Sequence, residues 1–152
     1  MKKYYLAYGS NLNVIHMKQR CPYSKLVGKT ILNDYCLVFK GSNQNGFLTI
    51  EKREQSIVPL GIYEITDYDE YQLDIYEGYP SLYRKETIQV LLNGEPIEGI
   101  IYIMSPIYSY AIPRMDYLQV CSEGYEQLGF NRAILSNALE TTINNIRKKL
   151  IK

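Results

Sequence analysis

The chain has no tryptophan, three phenylalanines and a single histidine, and its three cysteines are odd in number and far apart. Each scarcity excludes something. One histidine, His16, cannot build a metal site on several imidazoles, and any Ser-His-Asp or Cys-His dyad would have to use it. Cys21, Cys36 and Cys121 form no Cys-x-x-Cys pair, so zinc and redox motifs are unsupported. No apolar run approaches the length that crosses a membrane, and the N-terminus lacks the apolar stretch of a signal peptide. A reducing cytoplasm is therefore the expected location. The net charge of +1 gives no bulk attraction to nucleic acid or anionic membrane. Arg147, Lys148, Lys149 and Lys152 form a small basic tail that reads as a solvated helix end.

What is abundant is tyrosine, 16 residues in a chain of 152. Tyrosine packs as an aromatic and keeps a hydrogen-bonding tip. Most of these residues are expected in strands and core, and a few in a polar pocket. The length and the apolar fraction argue for one domain, residues 1–152, that buries a core without disulfides.

Hydrophobic periodicity predicts strands at 3–8, 34–40, 47–52, 56–65, 84–92 and 97–104. Gly41 to Gly46 reads as a polar turn, and Asn93-Gly94 carries the signal of a type I′ hairpin. Helices are expected at 13–20, from Thr66-Asp67 to Glu77, at 114–128 and from Asn131 to the C-terminus. Asp67 with Glu70 resembles a capping box, and Gly78 a C-cap. In the last helix Leu135, Leu139, Ile143, Ile146 and Leu150 recur at spacings of three and four. Hairpin-connected strands with interspersed helices exclude a doubly wound sheet and fit an α+β domain with a small curved or closed sheet.

Two segments carry the chemistry. The first strand runs into Tyr8-Gly9-Ser10-Asn11-Leu12. Gly9 permits a tight turn, and Ser10 and Asn11 are good N-caps for the helix that follows. Such a junction leaves backbone N–H groups unpaired, a set of donors for a carboxylate or a developing oxyanion. In the second segment, Leu73 to Tyr83, Glu77 stands at a helix C-terminus among apolar and aromatic residues. The negative end of the helix dipole disfavours its carboxylate, and the apolar neighbours would desolvate it if it points inward; the raised pKa that follows suits a group that takes and then gives a proton. The residues alone favour the alternative, a surface glutamate at a helix end. Ser10 lacks the Gly-x-Ser-x-Gly elbow and reads as a cap and substrate binder rather than a nucleophile. Asp67, Asp69, Glu70 and Asp74 read as a solvated acidic face.

Tyr8 to Leu12, the Tyr76-Glu77-Gly78-Tyr79-Pro80 stretch, and Tyr117 followed by Gly124 and Gly129 occur in an order that resembles the γ-glutamylcyclotransferase-like family, from Tyr5 to about Gly129. The resemblance implies a small mixed β-barrel flanked by helices, with the site at one mouth. It implies Glu77 as general acid and base, and Tyr8, Gly9, Ser10, Asn11, Leu12, Tyr83 and Tyr117 as substrate-binding residues. The reaction implied is closure of a γ-glutamyl group to 5-oxoproline with release of an amine. It uses no cofactor and no metal, because the nucleophile belongs to the substrate. The Tyr-Gly-Ser-Asn-Leu turn is similar to that of the group outside the glutathione-specific enzymes. Gly124 and Gly129 read as turn or helix-end glycines. Two other expectations are compatible with the same residues: a non-catalytic module for γ-glutamyl or other small carboxylate ligands, and an interaction protein that forms a homodimer through a tyrosine-rich surface.

Overall fold

The structure is a computed structural model that describes residues 2–151. Six strands form one curled mixed sheet: β1 (Lys3–Ala7), β2 (Lys25–Ser42), β3 (Asn45–Ile65), β4 (Tyr83–Leu92), β5 (Glu95–Met104) and β6 (Ser109–Tyr110), in the spatial order β4-β5-β1-β3-β2-β6. Neighbours are antiparallel except β1 and β5, which run parallel. The sheet curls into a half-barrel in which Leu92 on β4 comes over Gly28 on β2. Four helices flank it: α1 (Val14–Arg20), α2 (Asp67–Glu77), α3 (Met115–Leu128) and α4 (Ala133–Ile151). This is the expected mixed barrel with flanking helices. Among the described residues no helix is long and apolar enough to cross a membrane.

Apart from β1, which ends at Ala7 rather than Tyr8, the expected strands are longer than the sequence predicts. Residues 25–33 have no clean alternation, yet they extend β2, because β3 offers a continuous antiparallel partner along its whole length. The polar run at 53–55 does not end a strand; β3 passes through it by a bulge. There Asp34 and Gln55 both take positive φ, and the Asp34 carboxylate accepts the Gln55 N–H at 3.0 Å. The turn expected over Gly41–Gly46 shrinks to Asn43-Gln44, both left-handed, with Ser42 paired to Asn45. Asn93-Gly94 is the left-handed hairpin pair expected.

Helix α2 is held at both ends. Thr66 is its N-cap, and the reciprocal partner is Asp69, not Glu70. Thr66 Oγ1 accepts the Asp69 N–H and Asp69 Oδ2 accepts the Thr66 N–H, each at 3.1 Å. Gly78, at φ +64°, ends the helix immediately after Glu77, and the Tyr79 N–H folds back to the Asp74 carbonyl at 2.9 Å. The acidic residues of this helix do not make one solvated face. Asp69 is fully buried in the cap and also accepts the Tyr23 N–H, Glu70 bonds Lys3 and Lys85, and Asp74 bonds Lys85. Of these four only Asp67 is fully exposed, and it too accepts a bond from Lys3, at 2.6 Å.

Helix α4 buries Leu135, Ala138 and Thr142, with Leu139 half-buried, while Leu150 is 80% exposed. Its seam therefore differs from the leucine–isoleucine stripe expected. Thr142 is drawn in because its hydroxyl accepts the Phe39 N–H of β2 at 2.9 Å. In the basic tail, Lys149 lies over the Tyr110 ring; Lys152 lies outside the described residues.

Gly124 stands inside α3 rather than at a turn or helix end. It lies against the backbone of the turn before α1: a Cβ at this position would come within 2.6 Å of Asn13 N and 2.8 Å of the Leu12 carbonyl carbon. Alanine would raise helix propensity by about 1 kcal/mol. The contact is with backbone that cannot swing aside, so overpacking wins. Gly124→Ala should lower stability by about 1–3 kcal/mol in chemical denaturation; a stabilised variant would show that α3 does not seat on this turn.

Candidate active site

The cavity and its walls

The C-terminal end of α2, the turn after β1, and facing residues of β3, β4, β5 and α3 enclose a cavity of about 180 Å³. Glu77 lines it, with Tyr8, Gly9, Ser10, Asn11, Tyr83 and Tyr117. Seven of the eight residues singled out in the sequence are thus brought to one place. Leu12 is not among them. Its side chain is fully buried in the core against Gly61, and its N–H is already taken by the Gly9 carbonyl at 3.0 Å. Leu12 anchors the turn from the core side and does not line the cavity. His16 is half-buried on α1 and does not line the cavity.

The turn differs from the expected N-cap arrangement. Ser10–Leu12 form a single 3₁₀ turn, and the cap of α1 is Asn13, whose side-chain oxygen accepts the N–H groups of Ile15 and His16. The side chains of Ser10 and Asn11 are thus not used as caps, and their N–H groups stand at the open start of the 3₁₀ turn. No acceptor among the described residues takes their N–H groups, and both residues line the cavity. Ser10 Oγ meets the Tyr76 hydroxyl at 3.2 Å. Asn11 Nδ2 donates to the Tyr5 hydroxyl oxygen at 3.0 Å, which leaves the Tyr5 proton to be directed elsewhere.

The tyrosines form the wall, and several hydroxyls tie it to the backbone. Tyr8 donates to the Tyr102 carbonyl at 2.5 Å and Tyr83 to the Leu48 carbonyl at 2.7 Å. Tyr117 accepts the Leu48 N–H at 3.0 Å and lies edge-on to Phe47. Tyr102 donates to Asp74 at 2.6 Å, one helical turn before Glu77. Burial pushes all these phenols up, so they stay neutral donors or acceptors.

Among the described residues nothing donates a hydrogen bond to the Glu77 carboxylate. Burial pushes its pKa up to about 7, against a smaller opposing pull from the Arg20 guanidinium. Arg20, Tyr5, Tyr76 and Tyr102 were not singled out in the sequence. Tyr76 was detectable as the neighbour of Glu77; Arg20 carries no local signal, because only the fold brings α1 to α2. Among the described residues no group of three or more His, Cys, Asp or Glu is placed to hold a metal ion.

Comparison with known proteins

The family model described as "Gamma-glutamyl cyclotransferase, AIG2-like" matches residues 5–125, most of the chain. The chain belongs to this family. Among solved structures, one titled "Gamma-glutamyl cyclotransferase" superimposes with a TM-score of 0.80 at 22% identity, over 91% of this chain and 86% of that one. An uncharacterized protein from Homo sapiens gives 0.79 at 24% identity, over 90% and 86%. An AIG2-like protein from Mus musculus gives 0.57 at 21% identity, over 86% and 95%. These similarities establish the shared fold. No curated protein matches the chain.

The enclosed carboxyl has a thermodynamic signature. Its folded pKa, about 7, lies above the ordinary value of 4.5, so folding favours the protonated form. The associated stability is full below about pH 4.5 and is lost as pH rises through 7. At pH 8 the ionised carboxylate costs the fold up to about 3 kcal/mol. Glu77→Gln should therefore raise Tm at pH 8, with the gain shrinking toward pH 4; a pH-independent difference would mean that Glu77 is solvated.

Proposed function

We propose that this chain is a γ-glutamylcyclotransferase-like enzyme that releases 5-oxoproline from a γ-glutamyl amine or amino acid, with Glu77 as general acid and base. The supporting observation is the juxtaposition in one cavity of a carboxyl with a pKa of about 7 and a turn with unpaired N–H groups. Family membership supports the same reading.

The chemistry is intramolecular aminolysis. The α-nitrogen of the γ-glutamyl group loses a proton to the Glu77 carboxylate and attacks its own γ-carbonyl carbon. A new C–N bond closes a five-membered ring, and the carbonyl π-electrons move to oxygen. The Ser10 and Asn11 N–H groups are the donors for that oxyanion or for the substrate α-carboxylate. The tetrahedral intermediate then collapses. The bond from the former carbonyl carbon to the leaving nitrogen breaks, and protonated Glu77 returns its proton to that nitrogen. A group with a pKa near 7 performs both halves at neutral pH with little penalty in either direction. The neutral tyrosine wall holds amine and carbonyl together and excludes water, which favours ring closure over hydrolysis. The cycle needs no metal, because substrate nitrogen is the nucleophile.

Purified protein should release 5-oxoproline, read by mass spectrometry, from at least one member of a panel of γ-glutamyl amino acids and amines. Glu77→Gln should reduce kcat/KM by about 100-fold or more while remaining folded. Because the base form starts the reaction, kcat/KM should fall tenfold per pH unit below about 7. Folded protein that is stabilised by these compounds and never turns them over would instead be a binding module.

A further inference from the structure

Arg20 is the last residue of α1 and takes no part in the cavity lining, yet it touches two residues that do. Its guanidinium donates to the Asn11 side-chain oxygen and sits over the Tyr76 ring, its central carbon 3.7 Å from the centroid. Asn11 belongs to the turn after β1; Tyr76 belongs to α2 and precedes Glu77. Each contact continues inward. Asn11 passes its amide to the Tyr5 hydroxyl, and the Tyr76 hydroxyl meets Ser10 Oγ. One planar cation thus closes a ring of contacts between two segments more than sixty residues apart in sequence. Arginine suits the position because its fork bonds in the plane while its face stacks on an aromatic; lysine does only one of these at a time.

We propose that Arg20 is a positioning residue for the site: its guanidinium clamps the Ser10–Asn11 turn to the C-terminal end of α2, holding the turn's N–H groups and the Glu77 carboxyl in register across one cavity. The kinetic part of this inference rests on the reaction proposed above; the structural part does not.

The surroundings of Glu77 make the clamp readable. The phenols of Tyr5 and Tyr8 on β1, Tyr76 on α2, Tyr83 on β4 and Tyr117 on α3 face it, and all are held neutral by burial. Tyr102 on β5 directs its hydroxyl to Asp74. Arg20 is the charge that acts on Glu77, and it favours the carboxylate. Loss of that charge raises the Glu77 midpoint, whereas loss of the clamp alone disturbs the turn and leaves the midpoint nearly in place.

The test compares the full chain with Arg20→Gln and Arg20→Lys. Backbone amide resonances of Gly9–Asn11, the carboxyl titration of Glu77 by carbon NMR, and the pH profile of 5-oxoproline release are followed in each. In both variants the turn amides should shift while resonances of α4 stay in place. Arg20→Gln should lower kcat/KM at pH 7 about tenfold and move the Glu77 midpoint and the acid limb together to higher pH. Arg20→Lys, which also serves if the glutamine variant fails to fold, should restore the midpoint but not the full rate. Unmoved turn amides in both variants would overturn the inference, as would wild-type kcat/KM in an active protein. Should the wild type release no 5-oxoproline, the reaction reading falls, and the turn amides alone decide the clamp: shifted, it stands; unmoved, it falls.

Discussion

A carboxyl group withdrawn from water, with no hydrogen bond from the described residues around it, is the constraint on which the rest of this structure turns. A buried carboxyl of this kind resists ionisation, and a helix ending beside it would otherwise be free to carry it out to solvent. The fold prevents that from both ends of α2. The Thr66–Asp69 capping box holds the N-terminus, and left-handed Gly78 ends the helix immediately after Glu77. Between them, Asp74 is fixed by Lys85 and by the Tyr102 hydroxyl, one turn from Glu77. The side chain is thus delivered to the cavity by three independent anchors, none of which touches its carboxyl.

The tyrosines have a related purpose. A wall of phenylalanine would desolvate Glu77 equally well but would have no means of fixing its own backbone. Tyr8 and Tyr83 donate into carbonyls of β5 and β3, and Tyr117 accepts an N–H from β3. Each phenol therefore joins two elements while presenting an apolar ring to the cavity. This double use distinguishes tyrosine from phenylalanine at these three positions. The opposite wall is a turn rather than a strand. Ser10 and Asn11 open the 3₁₀ turn, where no preceding carbonyl or cap takes their N–H groups, so these remain available. Gly124 keeps α3 close enough to support that turn. In the reaction proposed, the tyrosine wall holds the substrate beside Glu77, the proton carrier, and the turn is the anion binder.

Much of this was legible in one dimension wherever the signal was local. Gly78 as C-cap, Asn93-Gly94 as a hairpin, and the helical stretch ending at Glu77 depend on neighbouring residues, and they are where the sequence puts them. The misreadings are of another kind. Ser10 and Asn11 look like caps because serine and asparagine usually are; Asn13 takes the role because it stands where α1 begins. Leu12 belongs to the motif but points into the core, since a 3₁₀ turn directs successive side chains to different sides. Gly124 resembles a helix-end glycine until α3 meets the turn backbone. The polar run at 53–55 resembles a loop until β2 provides a partner across the bulge.

By itself, the sequence determined the two chemical segments, the α+β class, and the placing of a glutamate at a helix end, because these follow from residue type and short-range spacing; that its carboxyl is buried was decided by the tertiary structure. Tertiary structure alone decided which hydroxyls are committed to the backbone, which N–H groups stay free, and that Arg20 bridges the turn and α2. Those depend on contacts between residues dozens of positions apart. No local pattern encodes such contacts, because the side chains that make them meet only after the sheet has curled and the helices have packed against it.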